Sequence, residues 1–252
     1  MIYLTGDTHN DFSKLSNKSL KKQGLKLTDD DYIIVAGDFG LCWAHDKTFD
    51  WNCKWFAERS FTTLWVQGNH ENYDMIAEYP LEEWHGGLVR YIVRDKVILL
   101  ERGQIFNIEG HTFFTFGGAS SHDIPGGDRN DPEFATKLKE HRRDWIPYRI
   151  IGESWWPQEL PTEQELQTGL DNLAKADFTV DYVITHCCAT DLQTAIVHYL
   201  NKPSKADVLT DYFQALEGKL HYKHWYFGHY HYYLQTDENH TVLYNDIIKL
   251  DE

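Results

Sequence analysis

The sequence is poor in cysteine and has no long apolar run. Its four cysteines, Cys42, Cys53, Cys187 and Cys188, show no CxxC spacing, so neither a disulfide framework nor a cysteine-based zinc site is predicted. No apolar stretch approaches the ~20 residues needed to span a membrane. No basic n-region or cleavage site precedes the first predicted strand, Ile2–Thr5. We therefore expect reduced thiols in a cytoplasmic protein.

Positive charge is also scarce. The chain carries 24 Lys and Arg against 39 Asp and Glu, a formal net charge of −15. Binding along a nucleic-acid backbone needs clustered Lys and Arg, so we expect no extended nucleic-acid binding. A small anionic substrate is still compatible with this charge, because bound divalent metal ions can reverse the local sign. With 42% hydrophobic and 15% aromatic residues, the chain is predicted to be globular.

The hydrophobic pattern predicts an α/β protein. Strands alternate with helices over residues 2–66, which indicates a mainly parallel sheet. Four closely spaced strand patterns between 88 and 116, separated by turns such as Arg94-Asp95 and Glu109-Gly110, predict an antiparallel meander. Later, Thr162 with Glu165 three residues on predicts the start of a helix over 162–176. We predict one domain, residues 1–252, with a cap inserted at about 119–160.

Asp, Asn or His follows each of five apolar strands. The five loops are Asp7-x-His9, Gly37-Asp38, Gly68-Asn69-His70-Glu71, His186 and Gly228-His229-x-His231. Ligands bind at the carboxyl ends of strands in α/β sheets, and a DxH or HxH spacing turns alternate side chains to one side. Mixed oxygen and nitrogen ligands suit Mn, Fe or Zn. Seven ligands exceed what one ion that also holds water can take, so they predict two divalent metal ions.

A single loop His or Asp is more often solvated or hydrogen-bonded than metal-bound, so only the ordered set of five loops carries this prediction. That set resembles the calcineurin-like metallophosphoesterase superfamily over nearly the whole chain, from Asp7 to His231. It is similar to bacterial or phage-type metallophosphatases, and partly to the serine/threonine phosphatases. The resemblance implies an α/β fold, a four-layer α/β/β/α sandwich of two mixed sheets flanked by helices.

The resemblance also implies roles for individual residues. Asp7, His9 and His231 would hold the first metal ion, and Asn69, His186 and His229 the second. Asp38 would bridge both ions, and His70 would be the catalytic residue.

Two departures from the family pattern stand out. The serine/threonine phosphatases carry GDxxDRG after the second strand, where an Asp orients the catalytic His and an Arg grips phosphate. Here the stretch continues from Asp38 as Phe39-Gly40-Leu41-Cys42-Trp43, without either residue. Glu71 does match the GNHE of that subgroup. Asn10 stands where the family often has Gly, and Asn tolerates positive φ.

The resemblance implies hydrolysis of phosphate esters. A metal-bridging hydroxide would attack phosphorus, with His70 as general acid or oxyanion stabiliser. Candidate substrates are a phosphorylated small molecule, a nucleotide or a phosphoprotein. The acidic charge favours such a phosphatase over the alternative, a phosphodiesterase or nuclease acting on nucleotides or nucleic acid. A catalytically inactive protein-interaction scaffold on the same fold is the third reading, and it should lack ligands that are present here.

Further candidates lie in the polar segment after residue 116. His122 and Arg129 could contact substrate phosphate, although a solvated loop is the commoner role for each. Trp155 and Trp156 could stack on a base, but we favour a hydrophobic anchor for the cap. Packing, not ligation, is expected of Cys187 and Cys188.

Overall fold

The structure, a computed structural model, describes residues 1–121, 126–144, 148–201 and 205–250. Within these ranges, a seven-stranded and a six-stranded sheet pack face to face. The larger sheet has the spatial order β15 (Ile248–Lys249), β1 (Ile2–Thr5), β2 (Tyr32–Val35), β3 (Thr62–Trp65), β6 (Val97–Leu100), β5 (Gly87–Val93) and β4 (Glu82–Trp84). The smaller sheet has the order β13 (Leu234–Gln235), β14 (His240–Val242), β12 (His224–Phe227), β11 (Tyr182–Thr185), β8 (His111–Phe116) and β7 (Gln104–Ile108). A separate parallel pair joins β9 (Gly126–Gly127) and β10 (Arg149–Ile150).

Most helices in the described part of the chain lie on the outer faces of the sheets. The helices in these ranges are α1 (Asn17–Lys22), α2 (Lys47–Ala57), α3 (Tyr73–Ala77), α4 (Phe134–Arg143), α5 (Glu163–Lys175), α6 (Thr190–Tyr199) and α7 (Val208–Glu217). The predicted start of α5 is confirmed, because Thr162 and Glu165 form a reciprocal capping box. None of the helices within the described ranges is both long and apolar enough to cross a membrane.

Alternating side chains bury both faces of the central strands. In β2, Ile33 packs with Phe56 of α2 on the outer face, whereas Ile34 packs with Ile184 of β11 between the sheets. The outer face of the smaller sheet packs against residues of α5, α6 and α7, including Leu173, Ile196 and Phe213. Burying each such side chain contributes roughly 1.5–3 kcal/mol. The predicted four-layer α/β/β/α sandwich is confirmed.

The central strands of both sheets run parallel to their neighbours. In the larger sheet β1, β2, β3 and β6 pair in parallel register, which confirms the mainly parallel first half. In the smaller sheet β8, β11, β12 and β14 do the same. The loops that follow β1, β2, β3, β11 and β12 carry the predicted ligands, and their side chains meet across the two sheets.

The prediction of a single antiparallel meander over 88–116 is wrong, because its four strands divide between the two sheets. Its two hairpins, β5–β6 and β7–β8, do form, but β6 pairs with β3 while β7 belongs to the other sheet. The chain changes sheets at 101–103, where the buried Arg102 donates hydrogen bonds to the carbonyl of Gly117 (2.8 Å) and the hydroxyl of Tyr73 (3.0 Å). Strand spacing alone reports hairpins, not the sheet to which each hairpin belongs.

The segment at about 119–160 holds β9, α4 and β10 in its described part. Its function as a cap, and the assignment of residues 1–252 to a single domain, stay predictions. Trp156 is 2% exposed, and its indole N–H donates to Asp74 Oδ2 over 2.9 Å. Trp156 therefore anchors this segment to α3, as expected.

Candidate metal centre

Three of the predicted loops adopt left-handed backbone at non-glycine residues. The φ angles are 46° at His9, 64° at Asn10, 46° at Asp38, 71° at His229 and 53° at His231. This conformation costs roughly 1–2 kcal/mol per residue, so the surrounding contacts must hold it in place. Strained residues of this kind cluster at functional sites. Asn10, which stands where the family often has Gly, does take a positive φ.

One group of ligand atoms forms around the loop after β1. Asp7, His9, Asp38 and His231 each place a nitrogen or oxygen within 4.8 Å of the others. His9 Nε2 lies 2.9 Å from His231 Nε2 and 3.8 Å from Asp38 Oδ2. His231 Nε2 lies 3.1 Å from Asp7 Oδ2. Two imidazole nitrogens and two carboxylate oxygens thus face one small volume.

A second group forms around Asn69. Its Oδ1 lies 3.2 Å from His186 Nε2 and 3.1 Å from His229 Nδ1. The Asn69 Nδ2 donates to Ser121 Oγ over 3.0 Å, which keeps Oδ1 turned to the two histidines. His186 Nδ1 donates to the carbonyl of Ala36 over 2.8 Å. Since a carbonyl only accepts, Nδ1 carries a proton, and Nε2 is the ring nitrogen that could bind a metal ion once it is unprotonated.

Asp38 lies between the two groups. Its Oδ1 is 3.3 Å from His186 Nε2, and its Oδ2 is 3.8 Å from His9 Nε2. Burial acts to raise the pKa of Asp38, but the nearby His186, His70 and His9 hold it well below its usual value. Burial conversely acts to lower the pKa of His186, yet the Asp38 carboxylate raises it to about 9. The buried carboxylate is therefore ionised and faces both groups.

The donor set fits cations. Asp7 is 3% exposed, and its Oδ2 accepts no well-aligned hydrogen bond from any described residue, although His231 Nε2 is close. A buried carboxylate oxygen without a partner is costly unless a cation compensates it. Imidazole, carboxylate and amide oxygen are ligands that suit Mn, Fe or Zn.

Gly68 and Glu71 shape the loop between the groups. A Cβ on Gly68 would overlap the carboxylate and backbone nitrogen of Asp38. Gly68 does not have a positive φ, so glycine is required there for the close approach of Asp38 and not for a left-handed backbone conformation. Glu71 is fully buried and accepts hydrogen bonds from the N–H groups of Phe39 (2.8 Å) and Gly40 (3.3 Å). Glu71 thereby ties the loop after β3 to the loop after β2.

Lys14 supports the loop after β1 through hydrogen bonds to backbone carbonyls. Its ammonium donates to the carbonyls of Gly6 (2.8 Å), Asp7 (2.9 Å) and Tyr244 (2.8 Å). Lys14 stands in a lysine-rich stretch of the sequence. No sequence signal separates it from the neighbouring lysines, because its partners are backbone carbonyls, one of them 230 residues away.

His70 stands at the edge of the ligand groups, half-buried. Its ring packs edge-on against that of His9, with 5.1 Å between the ring centroids. Its Nε2 lies 3.4 Å from a guanidinium nitrogen of Arg149. Burial lowers the pKa of His70, and Arg149 lowers it further, against the opposite effect of Asp38. Arg149 is itself buried, and the sequence did not single it out.

The other predicted residues lie elsewhere or outside the described ranges. Arg129 is exposed and pairs with Glu153, with Nη2 and Oε2 2.8 Å apart, and its contact with substrate phosphate stays a prediction. That ion pair offsets its charge. His122 lies outside the described residues. Cys187 and Cys188 are buried in the core between the smaller sheet and its helices, as expected of packing residues.

Comparisons with known proteins place the chain in a family. No curated protein matches it. One solved structure that it resembles is a phosphopantetheinyl hydrolase from Mycobacterium tuberculosis, with 13% identity, a TM-score of 0.43, and 96% of this chain and 87% of that chain covered. The sequence model of the calcineurin-like phosphoesterases matches residues 1–233. The chain therefore belongs to the calcineurin-like phosphoesterase family and is a metal-dependent hydrolase of phosphoric esters.

Proposed function

We propose that this protein hydrolyses phosphate esters with two divalent metal ions, Mn, Fe or Zn. One ion would be held by Asp7, His9 and His231, and the other by Asn69, His186 and His229. Asp38 would contact both. The observation that carries this proposal is the position of the Asp38 carboxylate, whose two oxygens face different ligand groups at 3.3 and 3.8 Å.

When bound, the two ions supply positive charge for the phosphate oxygens and an acidified water as nucleophile. The protein supplies their cage and the orientation of the substrate. Buried Asp7 and Asp38 would offset the charge of the ions, and the hydrogen bonds of His186 and Asn69 hold the side chains that would bind them. This preorganisation avoids rearrangement during the reaction.

His70 would act on the substrate and not on the metals. Its backbone N–H donates to Asp38 Oδ1 over 2.7 Å, so the residue is fixed to the wall of the site while its ring stays half-exposed. From there Nε2 can donate a proton to the leaving oxygen or a hydrogen bond to a phosphate oxygen. Either role is worth about 10²–10⁴ in rate.

The substrate is proposed to be a phosphorylated small molecule, a nucleotide or a phosphoprotein. A net charge of −15 disfavours a polyanion such as nucleic acid, whereas one phosphate group can be drawn in by the two metal ions.

The test is turnover of p-nitrophenyl phosphate and bis-p-nitrophenyl phosphate by the purified protein, with and without added Mn²⁺ after removal of metals by a chelator. The proposal predicts hydrolysis that is lost with the metals and restored by Mn²⁺. Absence of turnover of both substrates, with metals shown to be bound, would favour the scaffold reading. Turnover that survives complete metal removal would contradict the proposal.

A further inference from the structure

Arg149 connects the segment at 119–160 to the metal centre. It lies in β10 and is 7% exposed. One guanidinium nitrogen, Nη1, donates to Ser121 Oγ over 3.1 Å, and that same oxygen accepts the hydrogen bond from Asn69 Nδ2 over 3.0 Å. The other nitrogen, Nη2, lies 3.4 Å from His70 Nε2. The Arg149 guanidinium therefore lies beside the proposed catalytic residue, and the Ser121 hydroxyl links it to the proposed ligand Asn69.

The geometry between Arg149 and His70 suits an oxygen atom. When His70 Nε2 carries a proton, this nitrogen and Arg149 Nη2, 3.4 Å apart, can both donate to one oxygen that lies about 2.8–3.0 Å from each. A guanidinium offers several N–H groups in a planar fork, which matches the spacing of phosphate oxygens.

Arg149 and its neighbour Glu159 are both buried, so the charge of Arg149 is weakly screened by solvent. Glu159, the buried carboxyl group on the far side of Ser121, accepts the Ser121 N–H at Oε1 over 2.6 Å. Burial raises the pKa of Glu159, although Arg149 acts to lower it, as Arg149 also lowers the pKa of His70. The Arg149 guanidinium thus acts to lower the pKa values of two groups, Glu159 on one side and His70 on the other.

We propose that Arg149 binds the phosphate group of the substrate and makes the enzyme selective for phosphate monoesters over diesters. This inference rests on the proposed function and narrows its substrate class. A monoester carries a charge of about −2 above its second pKa near 6. A diester carries a single negative charge and replaces one phosphate oxygen by a bulky ester. A buried cation beside His70 therefore stabilises the monoester more strongly.

Arg149 also fills a role that the loop after β2 leaves open. That loop continues from Asp38 through Phe39, Gly40 and Leu41, without an arginine. The guanidinium reaches the site from a different part of the chain, the segment inserted between β8 and α5.

The experiment compares the wild-type protein with Arg149→Gln, Arg149→Lys and the control Arg143→Gln. Arg143 lies in α4 of the same segment, is exposed and pairs with Asp144, Nε to Oδ1, at 2.8 Å. For each protein, kcat/KM is measured for p-nitrophenyl phosphate and bis-p-nitrophenyl phosphate with Mn²⁺. Metal content, thermal unfolding and calorimetric binding of inorganic phosphate are measured on the same samples.

For Arg149→Gln, we expect monoester kcat/KM to fall roughly 10–100-fold, since a charge-assisted hydrogen bond is lost, and diester kcat/KM to fall less than about 3-fold. Inorganic phosphate should bind at least about 10-fold more weakly, with metal content unchanged. Arg149→Lys should recover part of the monoester activity, and Arg143→Gln should match the wild type.

Equal losses for both substrates, or unchanged phosphate binding, would overturn the role of Arg149. If Arg149→Gln fails to fold, Arg149→Lys decides: an unchanged ratio of monoester to diester kcat/KM together with unchanged phosphate binding overturns the proposal. If the wild-type protein turns over neither substrate, the proposed function fails. The role of Arg149 is then tested only by comparing the binding of inorganic phosphate to the wild type and to the Arg149 variants.

Discussion

The backbone N–H of His70 donates a 2.7 Å hydrogen bond to Oδ1 of Asp38. The same carboxylate faces His186 on one side and His9 on the other. One side chain therefore lies between both ligand groups and also fixes the loop that carries the proposed catalytic residue. The proposed metal site and the placement of His70 therefore share this carboxylate, and substitutions can test the two roles separately.

Asp38→Asn should remove metals and activity together. The amide keeps the shape of the side chain but loses the charge that holds two cations, so kcat should fall by roughly 1,000-fold or more. Metal content by mass spectrometry and turnover with Mn²⁺ measure both effects. Asp177→Asn is the matched control, because Asp177 is exposed and also has a positive φ, 51° against 46° at Asp38. Full activity of Asp38→Asn after chelator treatment would refute the bridging role.

His70→Gln should keep the metals and slow the reaction. The substitution leaves the backbone N–H that binds Asp38 in place and removes only the imidazole. We expect kcat to fall about 10²–10⁴-fold with unchanged metal content, as for loss of a general acid. Loss of metal from this variant would instead assign His70 to the ligand shell.

Gly68→Ala should disrupt the centre although it adds only a methyl group. The new Cβ would overlap the side chain and backbone of Asp38, so one of the two loops must move. We expect destabilisation of about 2–4 kcal/mol and weaker metal binding, measured by urea unfolding and metal titration. Gly218→Ala is the control, since a Cβ there would meet no atom within 4 Å. Equal stability of the two variants would contradict this prediction, because it would show that the loops at 38 and 68 can move to accommodate the methyl group at little cost.

Lys14→Met should weaken the support of the loop after β1. The carbonyls of Gly6, Asp7 and Tyr244 would lose their common donor, at a cost of about 2–4 kcal/mol in the free energy of unfolding. Lys18→Met, on the exposed face of α1, should change stability by less than about 0.5 kcal/mol. Urea unfolding of both variants checks the difference, and equal effects would contradict a special role for Lys14.

The architecture could be predicted because the strands of this chain are short, apolar and clearly separated. Ile33 and Ile34 are both hydrophobic because the sheet is covered on two faces, which is the pattern of a buried parallel strand. Ligand-type residues placed directly after such strands must come out at one edge of the sheets. That rule is why Asp7, Asp38 and His186 could be expected to meet without knowledge of the helices between them.

The remaining parts of the site escaped prediction because their contacts are distant in sequence. Arg149 lies in a two-residue strand within a polar segment, and nothing in the neighbouring sequence separates it from Arg129, which pairs with Glu153 at the surface. The role of Gly68 depends on an atom of Asp38 that lies across the site. The crossing between sheets at 101–103 likewise depends on packing, since both hairpins follow the same local pattern.

The central claim is that this chain holds two divalent metal ions through Asp38 and its six neighbouring ligands. Its most direct test is the metal content per chain of the wild-type protein, after removal of metals and reconstitution with Mn²⁺, measured by elemental mass spectrometry. We expect two ions per chain, together with recovery of phosphatase activity. One ion or none per chain in a protein that is fully active would contradict it.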